Sequence, residues 1–377
     1  MPTTVIIAPD KFKGTLDAAE AAERIADGVL RAAPPGTSVR TFPVADGGEG
    51  TVRAALASGA GFREASVWVS GPTGQPVRAS LAVDEAEGTA VIEMAQASGL
   101  AQLPDAIPAA LTASSRGTGE LIRHAVRELG CRKLVLGVGG SACTDGGAGM
   151  LQALGVRLLD AEGVELEPGG AALARLARIE APEELLPGVE LALATDVDNP
   201  LLGAHGAAAV YGRQKGASDE DMRNLDVALT VWADKIADTT GEDHRDAAGA
   251  GAAGGTGFGA LALLGARMRP GIALLLDLLG FERIVAGADL VLTGEGSLDE
   301  QSLHGKAPIG VANAARRAGA LVAAVAGRVA LPEARWREAG FAAVYELVAL
   351  AGEGEDPFTD AARLARRAGE KAAAELL

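Results

Sequence analysis

The chain has 377 residues, 48% hydrophobic and 22% charged, a globular composition too long for one ordinary core, so two domains or one large α/β unit with an insertion is expected. A formal net charge of −16 repels phosphate polyanions and argues against a nucleic-acid partner. Two cysteines, Cys131 and Cys143, make no disulfide framework, no apolar run approaches a membrane span and no signal peptide follows Met1, so a cytoplasmic setting is expected.

Residues 4–8 read as an apolar strand, 17–32 as a helix with Ile25 and Val29 on one face, 39–45 as a second strand and 48–58 as a second helix. That βαβα order predicts a parallel sheet. The pattern then changes: 67–69, 77–83 and 90–94 read as strands without helices between them, hence an antiparallel piece and a second domain. A helix at 119–129, strands at 133–138 and 189–194 and a long helix at 221–237 follow. Residues 247–260, AAGAGAAGGTGFGA, show no period and read as a linker or lid, or else as a nucleotide contact. The βαβα order returns with strands at 289–293 and 321–326, helices at 306–318 and through Trp336, a strand at 343–350 and a last helix. The ends resemble each other and the middle differs. The expected class is therefore α/β, with a parallel Rossmann-like or flavodoxin-like sheet domain formed by both chain ends, 1–62 and 287–377, and an inserted mixed α/β domain, 63–286.

Five strands run into turns that carry carboxylates. They are APDKFKGT with Asp10, Lys11 and Lys13; ADGGEGT with Asp46 and Glu49; GGSACTDGGAG with Asp145; TDVDNPLLG with Asp196, Asp198 and Asn199; and GEGSLDEQSLHGK with Glu295, Asp299, Ser302 and Lys306. Open parallel sheets bind ligands outside the carboxyl ends of their strands. Glycine-rich backbone opening a helix, here Gly139, Gly140, Gly146 and Gly147, lets an anion approach free N–H groups. Carboxylates cannot touch phosphate, so they call for a divalent cation between. Glycine turns, a few lysines and many carboxylates together point to Mg-nucleotide phosphoryl transfer.

Other chemistries fit less well. No G-x-x-x-x-G-K-[ST] is present, and the G-x-G-x-x-G at 249–254 follows no strand, which argues against an NAD-dependent oxidoreductase. The four histidines lack metal-ligand spacing. Cys143 has no nearby His and reads as a small packed residue. Arg116 is open to two readings, a solvated cap or a two-point clamp for a carboxylate. A non-catalytic binding protein for a small acid explains the five carboxylate turns poorly.

The stretches APDKFKGTLDA, FPVADGGEGTV, SGPTGQPV, IEMAQASGL, SRGTGELI, GGSACTDGGAGMLQALG, ATDVDNPLLG, YGRQKGA, GAGAAGGTGFG, LVLTGEGSLDEQSLHGKAPIGVA and AVAGRV, in that order, resemble the type 1 glycerate kinase family of bacterial D-glycerate kinases. The resemblance implies two α/β domains with the active site in the cleft between them, ATP and Mg²⁺, and phosphorylation of D-glycerate on the 2-hydroxyl rather than the 3-hydroxyl. The implied partners are small molecules, with no nucleic acid or membrane, and the chain is expected as a monomer or homodimer.

Chemistry allots roles to the matched positions. Asp196, which ends a strand, is the first choice for the base that accepts the hydroxyl proton, with Asp46 and Asp145 in reserve. Lys11, Lys13 and Arg116 suit the substrate carboxylate or the moving phosphoryl group, with Lys11 catalytic; Asp46, Ser115 and Asn199 join the substrate side. Gly139, Gly140, Ser141, Asp145, Gly146, Gly147 and Lys306 suit the nucleotide, and Glu295 and Asp299 suit Mg²⁺ or the ribose.

Overall fold

The computed structural model describes residues 3–104 and 108–377, which form two compact units. One unit comprises 3–46, 53–60 and 270–377; the other lies within 47–52 and 61–269.

The first unit is built on a five-stranded sheet, ordered Ser38–Thr41, Thr4–Pro9, Leu290–Leu298, Leu321–Val329, Ala343–Glu346, with every pairing parallel. Val5, Ile6, Ile7 and Ala8 are all 0% exposed. A strand buried on both faces has no polar side to show, so its sequence is continuous rather than alternating. The second expected strand stops at Thr41. Pro43 has no N–H to give, yet the Phe42 and Val44 N–H groups still donate to the Ile7 and Pro9 carbonyls at 2.7 and 3.0 Å. The last expected strand likewise divides, into Ala343–Glu346 and a short helix, Leu347–Leu350.

Helix Ala18–Ala32 starts at Asp17, whose carboxylate accepts the Glu20 N–H, and packs on the final helix, Ala361–Leu376. A Cβ on Gly28 would lie 1.9 Å from the Arg366 carbonyl oxygen, and one on Gly369 2.2 Å from that of Ile25. The two helices thus meet backbone to backbone. From Thr4–Pro9 the chain crosses to Ser38–Thr41 on one side; from Leu290–Leu298 it crosses to Leu321–Val329 on the other. The carboxyl ends of these two adjacent strands are therefore the sheet's topological switch point.

The second unit holds a mixed six-stranded sheet, ordered Arg63–Ser70, Pro76–Asp84, Thr89–Glu93, Lys133–Gly137, Glu190–Ala194, Arg267–Arg269. The first two pairings are antiparallel and the other three parallel. Trp232, on helix Asp219–Thr240, is fully buried with its ring edge-on to Phe258 at 6.5 Å. Among the described residues no helix is long and apolar enough to cross a membrane.

Residues 247–260 are neither linker nor lid. Helix Ala252–Leu264 starts within them, and Ala250, Ala252 and Phe258 are 0% exposed. Ala253, Gly254 and Gly255 take left-handed φ values of 53, 69 and 88° before the helix proper. A Cβ on Gly254 would sit 2.1 Å from the Cys143 carbonyl oxygen. From 249 to 260 the stretch is buried apart from the half-buried Ala253, which leaves no polar face to alternate with and hence no hydrophobic period. Gly254→Ala is expected to cost about 3 kcal/mol or more, from overpacking added to a left-handed backbone. Gly163→Ala, at φ 81° with no atom within 4 Å of the new methyl, should cost only about 1 kcal/mol. Equal losses in urea unfolding would show that the close approach to Cys143 does not matter.

Candidate active site

In the first unit the switch point gathers buried carboxylates. Asp10 directly follows Thr4–Pro9, is 8% exposed, and accepts the Lys11 backbone N–H on Oδ1 at 2.6 Å. Burial, then the nearby Asp46 carboxylate, push its carboxyl up to about 8, against the opposing Lys11 N–H and ammonium; Glu295 adds a smaller upward push. Glu295 lies within Leu290–Leu298, and burial pushes its carboxyl up to about 7, against the Ser302 hydroxyl and the Lys306 charge. Its Oε1 is buried without a hydrogen-bond partner. Asp10 and Glu295 thus sit near Asp46 in a carboxylate cluster whose two buried members resist ionisation.

Other expected residues of this unit are placed differently. Asp299 is committed to its own turn: Oδ1 accepts the N–H groups of Gln301 at 2.9 Å and Ser302 at 3.3 Å, and its own N–H donates to Ser302 Oγ at 3.0 Å. Lys306 directly precedes helix Ala307–Arg317 without a side-chain capping bond, and its Nζ lies 3.3 Å from Gln301 Oε1. Lys11 is half-buried and Lys13 exposed. Among the described residues no three His, Cys, Asp or Glu side chains are disposed to hold a metal ion by themselves.

In the second unit the carboxyl edge of the sheet is made of tight turns. Asp145 is 0% exposed. Its Oδ2 accepts the Ser115 N–H at 2.8 Å, the Ser115 hydroxyl at 2.9 Å and the Gly149 N–H at 3.2 Å, and its Oδ1 accepts the Gly147 N–H at 3.2 Å. Ser115 Oγ also accepts the Met150 N–H at 2.9 Å. The expected ligand contacts Asp145 and Ser115 are therefore spent on each other.

The glycines of this loop also have packing reasons. A Cβ on Gly139 would lie 2.7 Å from Gly48 Cα, one on Gly146 2.5 Å from the Trp232 ring and one on Gly147 3.2 Å from Thr256 Cα. At these positions the backbone is bare so that neighbouring protein can approach, where the sequence suggests a phosphate cradle. Gly140 meets only the Ala95 methyl, at 3.3 Å. Ser141 is 6% exposed and accepts the Lys215 ammonium at 3.0 Å; Lys215 also donates to the Cys143 carbonyl at 2.5 Å. Cys143 is fully buried, and burial holds its thiol well above the ordinary range, as suits a packed residue.

Asp196 is exposed on the loop after Glu190–Ala194. Asn199 is held on both sides: Oδ1 accepts the Tyr211 hydroxyl at 2.6 Å and Nδ2 donates to the His205 carbonyl at 2.9 Å. Arg116 is exposed, with Nε 3.3 Å from Glu120 Oε1. Glu93, to which sequence reasoning gives no role, is 2% exposed and accepts the N–H groups of Gly50 at 3.0 Å and Val52 at 2.6 Å. Asp10 and Lys215 were also unassigned as site residues, although each sits in a matched motif.

A parallel sheet with buried carboxylates gathered at its switch point, and a second sheet edged with polar glycine turns, fit an α/β enzyme. The model of the glycerate kinase family matches residues 5–377, and the chain belongs to that family. It is 46% identical to the glycerate kinase of Bacillus subtilis strain 168, covering 99% of this chain and 97% of that one. It is 41% identical to the glycerate 2-kinase of Escherichia coli K12, again covering 99% and 97%. The crystal structure of a candidate glycerate kinase 2 from Salmonella typhimurium LT2 superposes with a TM-score of 0.86 at 42% identity, over 100% of this chain and 98% of that one.

The raised Asp10 and Glu295 carboxyls carry a pH signature. A carboxyl whose folded pKa lies above its unfolded value adds stability below about pH 4 and loses it as pH rises through about 7 to 8. The ligand-free protein should therefore melt at progressively lower temperature from pH 5 to pH 8.5, and Asp10→Asn should flatten that slope. An unchanged slope in the variant would mean that Asp10 is not protonated in the folded protein.

Proposed function

We propose that the chain transfers the γ-phosphoryl group of ATP to D-glycerate, on the 2-hydroxyl in preference to the 3-hydroxyl, with Mg²⁺. Full-length similarity to proteins named glycerate kinase and glycerate 2-kinase supports the reaction. The structural observation that carries it is the buried, unpartnered Glu295 Oε1 beside Asp10 and Asp46. Buried carboxyls that resist ionisation without a counter-charge fit a cation, which would displace their protons and pair with the carboxylates. Mg²⁺ commonly takes only one or two carboxylates and completes its shell with water and phosphate, so a three-residue cage is not required. Glu295 and Asp10 are the residues proposed to hold it, with Asp46 adding charge, and the ion would neutralise charge on the phosphates.

The chain's own groups do the rest. Lys11 and Lys13 supply positive charge beside Asp10 for an anionic substrate group. In the second unit, Ser141 is the proposed contact for an anionic oxygen, and Arg116 can offer its guanidinium fork to a carboxylate. Asp196 is proposed to accept the proton of the attacking hydroxyl, since its exposed position leaves it accessible to substrate. ATP as donor and two free, buried thiols support a cytoplasmic setting.

Phosphorus NMR of a reaction with Mg-ATP and D-glycerate is expected to show 2-phosphoglycerate; 3-phosphoglycerate would correct the regiochemistry, and neither signal would sink the reading. Asp196→Asn should lower kcat by roughly 10²–10⁴-fold with little change in KM. Near-normal turnover with a lower melting temperature would remove Asp196 from the chemistry. Glu295→Gln should raise the Mg²⁺ concentration needed for half-maximal rate by about tenfold or more, with excess Mg²⁺ restoring much of the activity. An unaltered Mg²⁺ requirement would take Glu295 off the metal.

A further inference from the structure

Lys215 is the only Lys or Arg among the described residues that is buried, at 2% exposed. It closes the short 3-10 turn Arg213–Lys215. Burying an ammonium is costly unless acceptors surround it. Here Nζ donates to Ser141 Oγ at 3.0 Å and to the Cys143 carbonyl at 2.5 Å, and the Asp145 carboxylate attracts it through space. Burial still pulls its pKa below the ordinary lysine range. Asp145, which would balance the charge, is already satisfied by four donors from Ser115, Gly147 and Gly149. Fold stability alone therefore gives little reason for a cation at this position, since an apolar side chain of equal volume commonly serves a core as well or better.

What the ammonium does is fix one hydroxyl. A serine oxygen has a single proton, and a lone pair that accepts from Nζ leaves that proton to point elsewhere. Among the described residues no acceptor takes it, and Ser141 retains a small exposed surface while Lys215 has almost none. We infer that Lys215 is a positioning residue: it holds Ser141 as a hydrogen-bond donor toward an anionic oxygen of a substrate, either a phosphoryl oxygen of ATP or the carboxylate of glycerate. The inference rests on the proposed phosphotransfer for the identity of those ligands.

The test is a double-variant cycle on the full-length protein, Ser141→Ala and Lys215→Met, singly and together. It is read by calorimetric binding of Mg-ATP and, separately, of D-glycerate, and by KM and kcat. Ser141→Ala should weaken one of the two ligands by about 10- to 100-fold, the range for a hydrogen bond to a charged group. Lys215→Met should weaken the same ligand and spare the other, KM should move more than kcat, and the double variant should be no worse than the poorer single. Loss confined to Mg-ATP identifies the phosphoryl oxygen; loss confined to glycerate identifies the carboxylate. Wild-type binding of both ligands by Ser141→Ala would overturn the inference. So would losses that multiply in the double variant, or a Lys215→Met defect spread equally over both ligands. If Lys215→Met does not fold, Ser141→Ala decides alone by the same criteria. If the wild-type protein binds both ligands but makes no phosphoglycerate, the phosphotransfer reading fails while the cycle still judges Lys215.

Discussion

A carboxylate removed from water must be met by donors, and Asp145 meets that demand in a way that organises the whole edge of its sheet. Its four bonds join the turn that opens helix Arg116–Arg127 to the loop that opens helix Ala148–Leu154. With those two turns locked together, Gly146 can lie against Trp232, whose ring N–H donates to the Gly146 carbonyl at 3.0 Å. The Cys143 carbonyl then faces Gly254 and Lys215. Remove the carboxylate and several backbone N–H groups, the Ser115 hydroxyl and a buried ammonium lose their shared counterpart at once. A polar network of this density is a natural choice for a chain with 3% aromatic residues, which has few large rings with which to fill space.

The architecture was largely legible. Unbroken apolar runs at both ends marked strands of a parallel sheet, and strands at 67–69, 77–83 and 90–94 with no helices between them marked the antiparallel part, because antiparallel neighbours can be joined by short turns while parallel ones need a crossover. The stretch at 247–260 misled for a related reason. Periodicity detects a boundary between protein and water, and a segment of small residues enclosed on all sides has no such boundary. Strand ends were misplaced where a single residue, such as Pro43, interrupts a hydrogen-bond ladder that otherwise continues.

The site was legible as a set of turns but not as a set of roles. Sequence shows that Asp145 and Asp10 each follow a strand; it does not show that the first is met by three backbone N–H groups and a hydroxyl while the second lies near two further carboxylates. Ser115, Asn199 and Asp299 read as ligand-facing polar residues and turn out to hold turns in place, because short polar side chains serve neighbouring backbone as readily as a substrate. Lys215 sits in a polar-looking stretch, YGRQKGA, where nothing in the local pattern signals burial; that arises from long-range packing on Ser141 and Cys143, more than 70 positions away.

The close pairing of Ala18–Ala32 with Ala361–Leu376, together with the parallel pairing of Thr4–Pro9 on Leu290–Leu298, has a consequence for biosynthesis. The Thr293 hydroxyl bonds to the Ala8 carbonyl across 285 positions of chain. At roughly 5–20 residues per second on a ribosome, strand Thr4–Pro9 is made about 15 to 60 s before its neighbour Leu290–Leu298, and the helix that packs on Ala18–Ala32 comes last of all. During that interval an apolar strand with at most Ser38–Thr41 as a partner keeps its other edge open, the form most prone to pair with a wrong partner. The nascent chain, rather than the finished enzyme, is where this topology is most vulnerable.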